Sequence, residues 1–225
     1  MDVRNVKKKP FYEAVKRIFD FLLALVGTVV LSPCLLLIAI AIVAEDKGSV
    51  FYKANRVGRY GKPIKVYKFR SMKTGADRLE DMLTPEELEE YHKNFKLEKD
   101  PRITRVGNIL RKTSLDELPQ IFQIFSGEMS IIGPRPALWN QFDLIEERDK
   151  YGANDVRPGL TGWAQINGRD ELPIDVKARF DGEYVERMSF LFDCKCFFGT
   201  IVSVLKHDGV VEGGTGQLEK EKENK

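Results

Sequence analysis

The longest apolar stretch of the chain runs from Phe21 to Ala44 without a charged residue. A straight helix of that length would reach about 36 Å, more than the roughly 30 Å hydrocarbon core of a bilayer. Pro33 lies near its middle, where it removes one helical hydrogen bond and its ring clashes with the carbonyl of Val29. The pattern predicts a helix bent or broken at Ser32-Pro33 into two arms of about 18 Å, each too short to cross alone. The alternative is a spanning helix with a proline kink.

Basic residues flank this apolar stretch on both sides: Lys7, Lys8, Lys9, Lys16 and Arg17 before it, and Lys47, Lys53, Arg56, Arg59 and Lys62 after it. Because loops rich in Lys and Arg stay in the cytoplasm, both ends are expected there. A re-entrant helix, which enters and leaves through one leaflet, satisfies both patterns. The Ser32 hydroxyl is then expected to bond a carbonyl freed by the break.

Shorter patterned segments follow. Alternating residues at 49–57 and 62–72 around a glycine turn predict a small β-hairpin. Helical spacing predicts helices over 77–99, 103–111, 143–151 and 175–188, and one after Asp116. A second apolar segment, 190–205, is too short to cross and is expected to be buried or interfacial. The predicted fold is α/β and mostly helical, with a membrane anchor (1–46), a cytoplasmic catalytic domain (47–211) and a disordered tail (212–225).

Composition narrows the classes of function. The 225 residues, of which 43% are hydrophobic, suffice for one sizeable core, and the net charge of +2 argues against a nucleic-acid-binding protein. Three cysteines and two histidines form no disulfide framework, zinc motif or Ser-His relay. Any metal is therefore expected to be a hard cation bound by oxygen.

Asp116 and Glu117 are two adjacent carboxylates at the expected start of a helix, and they follow the cationic Arg111. Carboxylates in a cationic setting suit metal binding or attack on a phosphorus centre. A structural alternative is a capping box, in which the Ser114 side chain bonds the amide of Glu117 and Glu117 reaches back to the amide of Ser114.

Other residues are candidates for phosphate contacts. Strand alternation places Lys68 and Arg70 on one face, where the alternative is a solvated strand surface. Arg135 lies between two prolines, which suits a pinned, forked contact with phosphate; an ordinary exposed turn is the alternative.

Several ordered segments resemble one known family: KFRSM at 68–72, SLDELPQ at 114–120, SGEMSIIGPRP at 126–136 and VRPGLTGWAQINGR at 156–169. From about Lys16 to Val211 the chain resembles the monotopic phosphoglycosyl transferases, which are bacterial sugar transferases. The resemblance implies the re-entrant anchor and a location on the cytoplasmic face of the bacterial inner membrane. It also implies substrate contacts by Lys68, Arg70, Arg111, Arg135, Arg157, Gln165 and Arg169.

The resemblance further implies transfer of a sugar 1-phosphate from a UDP-sugar to undecaprenyl phosphate, with Mg²⁺ as cofactor and UMP as product. Asp116 would be both nucleophile and metal ligand, with Glu117 as its partner, in a ping-pong reaction through an aspartyl-phosphosugar. Two alternatives stay open: direct transfer in a ternary complex, and a non-catalytic scaffold that binds nucleotide sugar. The residues do not identify the sugar, the pathway, the oligomeric state, or which arginine binds nucleotide and which binds lipid phosphate.

Overall fold

Helices make up most of the structure, a computed structural model that describes residues 9–94, 97, 99–168 and 172–206. The helices are α1 Pro10–Glu45, α2 Leu79–Met82, α3 Pro85–Asn94, α4 Arg105–Lys112, α5 Ile121–Ser126, α6 Phe142–Asp149, α7 Trp163–Ile166, α8 Ile174–Arg187 and α9 Phe190–Lys206. The strands are β1 Phe51–Val57, β2 Pro63–Phe69, β3 Ser130–Ile132 and β4 Gly159–Thr161. A mostly helical fold with a small β-hairpin confirms the predicted class at that level.

Of the two strand pairs, the sequence predicted one and not the other. β1 and β2 pair with each other across a short connection, as the predicted hairpin requires. β3 and β4 form a second, parallel sheet in which Ser130 is opposite Gly159 and Ile132 is opposite Thr161. This sheet was not predicted, because three-residue strands are too short for an alternation pattern to be recognised.

Helix α1 runs without interruption from Pro10 through Pro33 to Glu45. The predicted break into two separate helices at Ser32-Pro33 is therefore wrong, whereas the bend that Pro33 also allows stays a prediction. The Ser32 hydroxyl donates a 2.8 Å hydrogen bond to the carbonyl of Val29, as expected. That carbonyl is the one that loses its main-chain donor at Pro33, so the hydroxyl replaces the missing N–H and the helix continues.

The described chain divides into two compact units, which we call the smaller unit (Thr28–Lys53 and Tyr67–Pro119) and the larger unit (Met1–Gly27, Ala54–Val66 and Gln120–Lys225). The predicted domain boundaries at 46 and 211 remain predictions. The predicted disordered tail, 212–225, lies outside the described residues.

The core of the smaller unit forms where the second half of α1 meets β2 and α4. Ile42, Phe69 and Leu110 are buried there, and partly buried residues pack around them: Leu35, Ile38, Ala39, Val50, Val106, Leu115 and Leu118. The α1 members recur with the three- and four-residue spacing of one helix face. The α1 residues Leu36, Leu37 and Ile40 are exposed, so this half of α1 has apolar side chains on two faces.

In the larger unit, the first turns of α1 are joined to α9 through a partly buried carboxylate. Asp193 accepts hydrogen bonds from the Tyr12 hydroxyl at 2.7 Å, from Lys16 Nζ at 2.9 Å and from the Tyr184 hydroxyl at 2.9 Å. An acidic residue inside an apolar helix is thus satisfied by three partners. A second charged side chain of α1 also bonds the interior: Asp20 accepts a hydrogen bond from the main-chain amide of Ile131 at 3.1 Å.

Candidate functional site

Asp116 and Glu117 lie in a 3₁₀ turn, Leu115–Gln120, that leads directly into α5. The amide of Glu117 donates to the main-chain carbonyl of Ser114 at 3.3 Å, and the amide of Ser114 donates to the carbonyl of Arg111 at 3.1 Å. Ser114 has a φ of 55°, a left-handed conformation rather than the extended one of an N-cap. The capping-box alternative is therefore wrong, because main-chain carbonyls bond both amides that the box would satisfy.

The apolar neighbours of the two carboxylates hold the turn in place. Leu115 and Leu118 pack into the cluster around Leu110 and Phe69. Their side chains point into the protein, as their helical spacing predicted, while Asp116 and Glu117 are each only 8% exposed. Two adjacent carboxylates are thus fixed in a largely water-excluded position.

Lys68, near the end of β2, forms ion pairs with both carboxylates. Its Nζ lies 2.8 Å from Glu117 Oε1 and 3.4 Å from Asp116 Oδ2. Burial raises the pKa of Asp116 above its ordinary value, and the neighbouring charge of Glu117 adds to that rise, whereas Lys68 and Arg111 oppose it. One ammonium therefore pairs with two carboxylates and opposes the burial that would otherwise drive Asp116 towards its neutral form.

Arg111 is the second cation of this cluster. It lies in the last turn of α4, and its Nε donates to the Ser71 hydroxyl at 2.8 Å. Helix α4 packs main chain against main chain at Ser71: a Cβ on Gly107 would lie 1.9 Å from the Ser71 carbonyl oxygen. Only glycine permits this approach, which brings the helix bearing Arg111 against the segment that follows Lys68.

A carboxylate at the end of α1 caps the N-terminus of α4. Glu45 accepts hydrogen bonds from the amides of Arg105 at 2.7 Å and Val106 at 2.8 Å, and the N-cap Thr104 accepts from the amide of Gly107 at 2.8 Å. Burial raises the pKa of Glu45, but the amides of Val106 and Arg105 outweigh it and hold that pKa below its ordinary value. The apolar helix is thereby joined to the helix that carries Arg111.

The structure does not place Arg70 beside Lys68. Strand β2 ends at Phe69, so the alternation that would align the two side chains stops before Arg70. The Arg70 guanidinium pairs with Asp46 at 3.2 Å and also bonds Thr74. The expected common face of Lys68 and Arg70 is wrong, and Arg70 anchors the segment that follows α1.

In the larger unit, Arg135 occupies the proline-flanked loop that the sequence singled out. Pro134 and Pro136 are buried and Arg135 is half-buried. The carbonyl of Pro134 accepts from the amide of Gly159 at 2.8 Å, and the carbonyl of Arg135 accepts from Arg148 Nη1 at 2.9 Å. The loop is rigid because its main chain is fixed as well as its prolines.

Two further candidates also lie in the larger unit. Arg157 donates to the carbonyl of Gly127 at 3.1 Å, and burial, followed by the charges of Arg59 and Arg17, lowers its pKa. Gln165 is 7% exposed, and both polar atoms of its side chain are buried without a hydrogen-bond partner among the described residues. The remaining candidate, Arg169, lies outside the described residues.

Sequence reasoning missed the contacts that join distant segments. These are the Glu45 cap of α4, the Asp193 network and a buried ion pair between Arg148 and Asp181. Asp193 had a visible signal, an acidic residue within an apolar run. For the others, nothing in the local sequence indicates the partner.

Comparison with known proteins gives matches that extend over most of the chain. The model of the family described as bacterial sugar transferase matches residues 11–207. The chain is 41% identical over 199 residues to an exopolysaccharide production protein, ExoY, of Sinorhizobium fredii, covering 87% of this chain and 88% of that protein.

Two longer relatives have names that state an activity. A UDP-galactose-lipid carrier transferase of Erwinia amylovora is 41% identical over 92% of this chain and 44% of its own length. A UDP-glucose:undecaprenyl-phosphate glucose-1-phosphate transferase of Escherichia coli is 40% identical over 83% of this chain and 39% of its own length. The chain thus spans less than half of these two proteins. On the family match and the extent of this identity, the chain belongs to the bacterial sugar transferase family.

Proposed function

We propose that this protein is a phosphoglycosyl transferase that moves a sugar 1-phosphate from a UDP-sugar to undecaprenyl phosphate and releases UMP. Membership of the bacterial sugar transferase family and the activities named for its relatives support the reaction. The observation that carries the proposal is the buried pair Asp116 and Glu117 under the Lys68 ammonium. A site of this kind offers a nucleophile of reduced solvation beside a cation that favours its ionised form.

In the first step, a carboxylate oxygen of Asp116 attacks the β-phosphorus of the UDP-sugar. A bond forms between that oxygen and the phosphorus, and the bond from the phosphorus to the bridging oxygen breaks. UMP leaves with the bonding electron pair, and the sugar phosphate is held on Asp116 as an acyl phosphate. Lys68, within 3.4 Å of Asp116, offsets part of the negative charge of the approaching pyrophosphate.

In the second step, an oxygen of undecaprenyl phosphate attacks the same phosphorus. The bond to Asp116 breaks, the carboxylate is restored, and the product is a lipid diphosphate sugar. Dividing the transfer in this way means that the two anionic substrates need not be bound together. Direct transfer in a ternary complex is the competing mechanism, and it requires both at once.

The donor set of this site fits Mg²⁺. Among the described residues no group of three or more His, Cys, Asp or Glu side chains is arranged to hold a metal. Magnesium is, however, commonly bound by one or two carboxylates together with substrate phosphates. Asp116, with Glu117 beside it, would hold the ion. The cation would supply charge neutralisation on the pyrophosphate and on the departing UMP.

We propose substrate contacts for the cationic and polar candidates as well. For Arg111 the support is that its charge opposes the rise in the pKa of Asp116. For Arg135 the support is its fixed loop and a guanidinium fork that matches phosphate oxygens. Arg157, Gln165 and Arg169 remain proposals from the sequence segments in which they occur.

We propose that α1 is a re-entrant anchor on the cytoplasmic face of the inner membrane. Among the described residues, α1 alone is long and apolar enough to cross a membrane, and only 11% of its most apolar window is buried. Its first half contacts the larger unit through Tyr12 and Lys16, and its second half contacts the smaller unit through Ile42 and Glu45. The support for re-entry is Pro33 within this helix together with the basic residues on both of its flanks.

The topology can be tested by labelling. In a variant without the three native cysteines, Asp2→Cys is expected to be protected from a membrane-impermeant maleimide in intact cells. Labelling of that cysteine from the periplasm would contradict the re-entrant anchor and favour a spanning helix.

The reaction is tested by UMP release from a panel of UDP-sugars in the presence of undecaprenyl phosphate. Turnover of one or more of them, lost in Asp116→Asn, is expected. A protein that binds UDP-sugars tightly but releases no UMP with any of them would be a scaffold rather than a transferase.

A further inference from the structure

Arg148 and Asp181 form a buried ion pair that the proposed chemistry does not use. Arg148 lies in α6 and is 3% exposed, and Asp181 lies in α8 and is 1% exposed. The Arg148 Nε donates to Asp181 Oδ2 at 2.8 Å, and Nη2 lies 2.6 Å from the same oxygen. Burying both charges costs free energy of desolvation, and an apolar pair of similar volume is often as stable.

The packing around the pair would accept apolar residues. One turn earlier on the same two helices, Leu144 and Ala178 are buried in one apolar cluster, with Ile145 and Ile174 packed against it. Apolar side chains at 148 and 181 would extend that cluster. The contact between α6 and α8 therefore does not by itself explain a charged pair.

The hydrogen bond of the third guanidinium nitrogen explains why an arginine occupies position 148. Its Nη1 donates to the main-chain carbonyl of Arg135 at 2.9 Å. The carbonyls on either side are held as well: that of Pro134 by the amide of Gly159 at 2.8 Å, and that of Pro136 by Arg56 Nη1 at 3.4 Å. Three consecutive carbonyls of the loop thus accept hydrogen bonds, and the central bond comes from a buried charge.

The chemistry of this contact favours arginine. A guanidinium has five N–H donors in a rigid plane, so it can neutralise Asp181 with one edge and still present another N–H to a carbonyl. A leucine or methionine cannot donate, and a lysine ammonium has no such plane. Asp181 keeps the guanidinium in place through two of its nitrogens.

We propose that Arg148 is a positioning residue for the transfer reaction: held by Asp181, it fixes the main chain of Arg135 and so the direction in which the Arg135 guanidinium leaves its loop. This rests on the proposed role of Arg135 as a phosphate ligand. A guanidinium that must form two parallel bonds with phosphate is sensitive to small displacements of its own main chain.

A double-mutant cycle tests the proposal on the full-length protein in detergent or nanodiscs. The pair variant Arg148→Met with Asp181→Leu removes both charges together, and Arg135→Lys removes the fork. UMP release gives kcat/KM for all four combinations. We expect the pair variant to lower kcat/KM at least about tenfold in the natural background, and less than about threefold when Arg135→Lys is already present.

A matched control is a second buried pair, Arg102 with Asp100, whose shortest contact is 2.6 Å. Arg102→Met with Asp100→Leu should change kcat/KM by the same factor with and without Arg135→Lys. Equal factors for the Arg148 pair in both backgrounds would show that it acts independently of Arg135, and would overturn the proposal.

Two further outcomes are informative. If the pair variant does not fold, as judged by its melting transition, Arg148→Lys takes its place in the cycle with the same expectation. If Arg135→Lys alone keeps normal turnover, the proposed role of Arg135 fails. A loss in the Arg148 pair variant in that case would overturn the positioning role too, whereas the transfer reaction itself would stand.

Discussion

Replacing Lys68 by methionine removes the cation from the carboxylate pair and keeps the length of the side chain. Lys68 Nζ is 2.8 Å from Glu117 Oε1 and 3.4 Å from Asp116 Oδ2, and its side chain is 21% exposed. At an effective dielectric constant of 20, charges at the shorter distance attract by about 6 kcal/mol, most of which offsets desolvation. Breaking a buried pair costs about 3–5 kcal/mol. We expect a loss near the lower limit, about 3 kcal/mol, because Lys68 is partly hydrated.

The free energy of unfolding lost in Lys68→Met should increase as pH rises towards neutral. The pKa of Asp116 is raised above its ordinary value of 3.8, so the folded state binds this proton more tightly than the unfolded chain does. Its contribution to stability therefore falls as pH rises from that value to the folded pKa. Removing Lys68 raises the folded pKa further. The variant should thus be most destabilised near neutral pH and least in acid, where Asp116 is protonated.

Activity should follow the same titration. Because a protonated carboxyl is not a nucleophile, the acid limb of the rate profile should move to higher pH in Lys68→Met, with turnover at pH 7 at least tenfold lower, or about 1.4 kcal/mol of barrier. Urea denaturation measured from pH 3 to 9 and UMP release measured from pH 5 to 9 test the two effects. Lys65→Met, an exposed lysine on the same strand, is the control. An unchanged acid limb in Lys68→Met would refute the coupling between Lys68 and Asp116.

Three further expectations follow. Glu117→Gln should lower turnover at least tenfold, about 1.4 kcal/mol of barrier, because the carboxylate bonds Lys68. The exposed control Glu89→Gln should match the natural protein, and normal turnover in Glu117→Gln would make Glu117 dispensable. Glu45→Gln should cost about 0.5–1 kcal/mol of stability above pH 4.5, an effect that disappears as pH falls through the lowered folded pKa; a difference unchanged in acid would contradict the capping role. UMP release should stop in excess EDTA and return with Mg²⁺; full activity in EDTA would remove the metal from the proposal.

The helices were predictable where a pattern repeats over several turns. The expected helices 103–111, 175–188 and 190–205 correspond to α4, α8 and α9 to within two residues at each end. The expected helix 77–99 is interrupted between Met82 and Pro85, where an extended Leu83 separates α2 from α3. Helix α1 is continuous through Pro33 although the sequence predicted an interruption there, and the accompanying bond from the Ser32 hydroxyl was expected. The sequence does not show that this one bond is enough to keep the helix continuous.

For the candidate site, the sequence identified the two carboxylates and, separately, Lys68 as candidates, but not the contact between them. Lys68 pairs with Asp116 and Glu117 because strand β2 carries it to the carboxylate turn. Arg70 was misplaced because the strand ends one residue earlier. Arg148 and Asp181 are 33 residues apart on two helices, and only the packing of those helices shows that they pair.

The central claim is that Asp116 carries the sugar phosphate as a covalent intermediate. The most direct measurement supplies the full-length protein with the UDP-sugar of highest turnover, without undecaprenyl phosphate, and examines the Asp116 peptide by mass spectrometry. We expect release of up to one UMP per protein and a sugar-phosphate mass on that peptide, both lost in Asp116→Asn. If no UMP is released and no adduct forms without the lipid, although turnover proceeds when both substrates are present, transfer is direct and the covalent mechanism is contradicted.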